Sequence, residues 1–162
     1  MDAHPTDIRG VLIQAEKARL LLPNASIAEV LSFATPEPVD GAPGWLLGRI
    51  RWRGWQLPLV AFTRMAGLSE ETGEPGNRVL VLKALGGNPA FPYFAIVTQG
   101  YPRLVTVSED ALQPLDDGDD GLPDGVFAKV QLRDDEALVP DLVAAEAIIQ
   151  RGLAEADAVP TV

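Results

Sequence analysis

Punctuation constrains this chain more than any motif does. Fifteen glycines and fourteen prolines are spread along its 162 residues rather than gathered into one linker. Glycine adopts backbone conformations other residues avoid, and proline removes a donor and ends regular structure. Between these breakers lie short apolar segments at near-regular spacing: residues 11–15, 19–23, 45–52, 55–60, 78–85, 93–99, 102–108, 126–133 and 136–140. Segments of that length separated by turn signals read as strands, and so many of them build an all-β barrel or sandwich. Residues 141–156 break the pattern. Leu142, Ala145, Ile148, Ile149 and Leu153 recur there at helical spacing, so the chain closes on an amphipathic helix.

Residues 26–34 admit two readings. Ile27, Val30, Leu31 and Ala34 fall on one helical face, and Ser26 with Glu29 would form a capping box. The same stretch also suits a strand preceded by a short helical turn. The loop at 35–44 follows, by its prolines and glycines. Residues 62–68 read as one helical turn ended by Gly67, and 69–77 as an exposed loop about which the strands divide loosely into two parts. The chain is long enough to bury a core without staples, so a single domain over 11–156 is expected, with tails at 1–10 and 157–162.

The most structured local signal is the stretch from Gly48 to Val60, GRIRWRGWQLPLV. Arg53-Gly54 reads as a two-residue turn between two strands. That register pairs Trp52 with Trp55 and Ile50 with Leu57 on an inward face, leaving Arg49, Arg51 and Gln56 on the other. Arginine beside tryptophan is the composition of interface anchors. Arg53 at the tip is freest to reach a partner, with Arg49 and Arg51 behind it and Trp45 as the available tryptophan.

Composition excludes several function classes. A net charge of −10 argues against a nucleic-acid binder, which needs a basic face, and against anionic membranes. There are no cysteines and one histidine, His4, so disulfides, thiolate chemistry, a Ser-His-Asp triad and a multi-histidine metal site are all unsupported. No apolar run approaches the roughly 20 residues that span a bilayer, and the opening MDAHPTDIRG has no apolar signal region, so a cytoplasmic protein without membrane insertion is expected. The acidic loop at 116–125 lacks EF-hand spacing, and the paired glycines of LKALGGNPAF lack a phosphate-loop pattern. No metal or cofactor is expected.

Several motifs in order then resemble the CheW-like family. They are Leu22-Pro23, Glu29-Val30, the loop running into Pro43–Gly48, Arg53-Gly54, Pro58-Leu59-Val60 and Gly67-Leu68, followed more loosely by RVLVLKA, FAIVTQGYPRLVTVSEDALQPL and VFAKVQLRDDEALVPDLVAAEAII. The resemblance implies two small SH3-like five-stranded barrels packed side by side. It implies a non-enzymatic adaptor that couples the cytoplasmic tips of methyl-accepting chemoreceptors to the regulatory domain of a CheA-type histidine kinase. It places Arg53 and Gly54 at the receptor groove, with Glu29 and Val30 beside it. Ala61-Phe62-Thr63 stands where the family has Asp-Leu-Arg, and Thr98 where it has Asp, which implies a divergent member serving a secondary chemosensory system such as pilus-based motility. The rival readings are a ligand-binding barrel or carboxylate-based hydrolase, which needs a deep polar pocket holding two close acids, and a peptide binder with an aromatic-lined groove.

Overall fold

The computed structural model describes residues 8–108, 110–115 and 121–157. His4, most of both expected tails and the acidic residues 116–120 lie outside the described residues. The chain forms two β-sheets and a closing helix, in agreement with the all-β reading. The first two strands, β1 (Ile8–Ala15) and β2 (Ala18–Pro23), make a hairpin in which Ala15 pairs with Ala18. Ile8, Arg9 and Gly10, assigned from sequence to a tail, therefore belong to β1.

A 3₁₀ turn at Asn24–Ser26 leads into β3 (Ile27–Ser32), which settles the ambiguous stretch as a strand. The cause of the ambiguity is a bulge. Ladder partners run from Ile27↔Leu82 to Glu29↔Val81, leaving Ala28 as the extra residue. Ile27 and Val30, three apart, consequently pack on the same core, as they would on a helix.

After the proline-rich loop come β4 (Leu46–Trp52), β5 (Trp55–Val60) and the short helix α1 (Phe62–Met65). The remaining strands are β6 (Arg78–Lys83), β7 (Tyr93–Thr98), β8 (Arg103–Val107), β9 (Leu112–Pro114), β10 (Val126–Leu132) and β11 (Asp135–Pro140), before α2 (Leu142–Asp157).

One sheet has five strands in the order β3-β6-β7-β5-β4, and the other has six, β8-β1-β2-β11-β10-β9, the sixth being the three-residue β9. Each contains two antiparallel hairpins joined by one parallel contact: β2 with β11 through Leu20↔Leu138, and β5 with β7 through Leu59↔Ala95 and Val60↔Ile96. The division expected near 69–77 falls inside the five-stranded sheet, because that segment connects β5 and α1 to β6. The chain instead passes to the five-stranded sheet at Asn24–Ser26 and returns between β7 and β8, so the six-stranded sheet is built from both chain ends.

The core has parts that match this layout. Leu12, Leu21, Val130, Leu132 and Ala137 fill the six-stranded unit. Trp52, Leu57 and Val81, with Leu59, Val79 and Ala95 nearby, fill the five-stranded one. The largest cluster lies between the sheets and under α2, joining Val11, Ile13 and Leu22 to Leu80, Phe94, Ile96 and Ile149.

The apolar stripe of α2 is as expected, except that Glu146 is buried within it. Its Oε1 accepts the N–H groups of Leu85 (2.7 Å) and Gly86 (3.2 Å). The paired-glycine loop thus presents backbone donors to an anion, and that anion is the protein's own carboxylate.

Candidate docking site

The β4–β5 hairpin has the register read from sequence, with Arg51↔Gln56, Ile50↔Leu57 and Trp52↔Trp55. Arg53 (φ 47°) and Gly54 (φ 81°) both take positive φ, as a two-residue hairpin with the primed-turn twist requires. The turn holds Arg53 at the tip, where its Nη2 donates to Glu29 Oε1 at 2.9 Å and its guanidinium lies 4.7 Å from the centroid of the Trp52 ring. Since β3 and β4 are the two edges of the five-stranded sheet, the Arg53–Glu29 bond spans the gap between them. Both side chains stay accessible, at 67% and 36%, so the pair contributes at most about 1 kcal/mol to stability. Its effect is to aim the guanidinium: one nitrogen is committed to Glu29 and one face to Trp52, while the remaining donors face outward.

Val30 neighbours Glu29 on β3 and is half-buried against the inter-sheet core. Leu104 on β8 pairs with Val11, which belongs to that same core, and so shares its face; yet Leu104 is 66% exposed. Of the residues expected together, Arg53 and Glu29 are joined by this bond and Gly54 lies in the same turn, whereas Val30 turns to the opposite face of β3, into the inter-sheet core; Leu104 is an exposed leucine on the edge of the other sheet.

Arg49 and Arg51 lie on the face of β4 opposite Ile50 and Trp52. The Arg49 backbone is spent on an antiparallel bridge to Glu37, accepting from Glu37 N–H at 2.9 Å and donating to Glu37 O at 2.8 Å.

Two tryptophan expectations need correction. Trp55 is on the inward-type face but 40% exposed, because the last pair before the turn overhangs the core; Trp52 is covered by Tyr93 in an edge contact at 4.8 Å. Trp45, expected to be available, packs on α2, where a Cβ at Gly152 would lie 2.8 Å from its ring. No aromatic-lined groove results among the described residues.

The departures at 63 and 98 turn inward. Thr98 Oγ1 donates to Gly100 O at 2.9 Å from a buried position. Thr63 is fully buried, with its hydroxyl 2.8 Å from Ser69 Oγ and 3.2 Å from Glu71 Oε1, to which it donates. Ser69 and Glu71 come from the loop expected to be exposed, and both are buried. Glu71 Oε2 also accepts the Glu16 N–H at 3.2 Å, linking the β1–β2 turn to the other sheet.

Burial raises the Glu71 pKa above 4.5; the hydrogen bonds from Glu16 N–H and Thr63 oppose this, and the Glu16 charge adds to it. A folded pKa above the unfolded one means that the protonated acid's contribution is complete below the unfolded value and is lost as pH rises through the folded value. Glu71→Gln is thus expected to melt higher than wild type at neutral pH, with the difference vanishing toward about pH 4. Thermal melts across that range check it; a difference independent of pH would contradict it.

Glu71 sits inside this hydroxyl network, and neither it nor Glu16 lines the open cleft around Lys17, Arg19 and Lys129, whose walls are mainly cationic and apolar, so the two-acid arrangement of the hydrolase reading does not form in that cleft.

Comparison with known proteins bears on the fold and the family. No curated protein sequence matches the chain. Among solved structures, the scaffolding protein TtCheW from Thermoanaerobacter tengcongensis superposes with a TM-score of 0.70 at 15% identity, over 88% of this chain and 89% of that one. At that identity the likeness carries the fold. The CheW-like domain model matches residues 9–151. This span runs from β1 into α2 and takes in both sheets and the Arg53 tip, and the chain accordingly belongs to the CheW-like domain family.

Proposed function

We propose that this chain is a non-enzymatic chemosensory adaptor working in the cytoplasm. Its Arg53 tip docks the hairpin end of a methyl-accepting chemoreceptor, and a separate surface docks the regulatory domain of a CheA-type histidine kinase. The supporting observation is the aimed guanidinium of Arg53, held by Glu29 over Trp52, with the part-exposed Trp55 across the turn. A receptor helix tip with an acid and an apolar side chain would meet a charge-assisted donor and a greasy neighbour together.

Neither contact has to be tight, because an array gains avidity from repeated sites. The buried threonines at 63 and 98 offer no acid to a partner, which favours a secondary system, such as one driving pilus-based motility, over flagellar chemotaxis.

Calorimetric titration tests the division of labour. The receptor cytoplasmic fragment should bind with unchanged affinity whether or not the kinase regulatory domain is present at saturation. Mutually exclusive binding would rule out a coupling role.

A further inference from the structure

A second feature lies at the turn end of the β1–β2 hairpin. Here Leu68 and Leu138, both packed against the inter-sheet core, form walls of an open cleft of about 620 Å³, with Leu122 beside them. Lys17, Arg19 and Lys129 also line it, with Glu136 as the one acid among the described lining residues.

In a chain of net charge −10 with thirteen cationic side chains, three around one cleft is a concentration against the overall balance. Among the described residues Lys17 and Lys129 enter no ion pair. Arg19 reaches Asp135 Oδ1 at 3.3 Å, but that carboxylate also accepts from Arg103 at 2.9 Å. Lys17 takes φ 65°, where glycine or asparagine would be relaxed, so the turn holds a lysine at a conformational cost.

The cleft lacks the buried, converging polar groups that orient a small ligand. Gln14, its one uncharged polar side chain, commits its amide to Ala15 O (2.8 Å) and Ala18 O (3.2 Å). Recognition there rests on long cations and leucine walls, which suit an extended chain carrying acids and apolar side chains in alternation.

We infer that this cleft docks an acidic, leucine-bearing peptide segment of a partner protein, at a site separate from the Arg53 tip. The test is an NMR titration of the full chain with a short acetylated peptide of alternating glutamate and leucine. Controls are the same peptide with glutamine for glutamate, and inorganic phosphate alone. Shifts should concentrate at residues 14–19, Leu68 and Leu138. Lys17→Glu with Lys129→Glu should weaken binding at least about tenfold, Lys17→Arg with Lys129→Arg should retain it, and the glutamine peptide should bind at least about tenfold more weakly.

Arg53→Glu should leave this binding intact, which separates failure here from failure of the receptor reading. If the double reversal does not fold, Lys17→Gln at the exposed turn carries the same test with a smaller loss. No binding, equal binding of the glutamine peptide, affinity indifferent to the charge changes, or phosphate alone reproducing the shifts would each overturn the proposal.

Discussion

Arg53→Glu should lower affinity for the receptor cytoplasmic fragment by about thirtyfold or more, close to 2 kcal/mol, while moving the melting temperature by only a few degrees. The two halves of that expectation have different origins. The Arg53–Glu29 bond is largely solvent-exposed, so its loss costs the fold little. At a docked interface the same guanidinium is desolvated, and a reversed charge would face both Glu29 and the receptor's acid without compensation. Titration by calorimetry and a thermal melt read the two quantities separately. A large fall in melting temperature with unchanged affinity would make the pair a structural clasp instead.

The largest expected effect on stability comes from Gly48→Ala. Gly48 has φ +147°, and a Cβ there would run into the Glu37 carbonyl oxygen while lying 2.9 Å from Pro36 Cβ. The obstruction is backbone, and it is fixed by the Glu37–Arg49 bridge on the next residue. Strain and collision together should cost about 3 kcal/mol, or roughly 10 °C in melting temperature. Gly76→Ala separates the two contributions: it has φ +95° with open space around it, so it should cost only about 1 kcal/mol. Equal losses at the two sites would mean that the proline-rich loop is not pinned to β4.

The fold is legible in the sequence where the determining interactions are local. The β4–β5 register followed from a two-residue turn and strict alternation, and the α2 stripe from its period. It is not legible where distant contacts decide. The Ala28 bulge gave β3 a helical spacing, and nothing near residues 69–77 signals that the sheets exchange chain at Asn24–Ser26 and after β7.

The same holds at the site. The family resemblance groups Arg53, Glu29 and Val30; the 2.9 Å bond joins the first two, while Val30 turns into the inter-sheet core. The exposed Leu104 is not legible, because its place on the sheet edge depends on pairing with Val11 across the sequence. Glu71 was read as an exposed loop acid because Thr63 and Ser69, which enclose it, carry no pattern of their own. The packing of Trp45 has no local signal, because Gly152, the residue that makes room for its ring on α2, is far along the chain.

The most direct measurement of the central claim is a bridging pull-down. The receptor cytoplasmic fragment is immobilised and offered the CheA-type kinase regulatory domain, with and without this chain. Coupling predicts that the kinase domain is retained only when the wild-type chain is added, and that the Arg53→Glu chain fails to retain it while still binding the kinase domain in solution. Retention of the kinase domain without the chain, or no retention with it, would contradict the account.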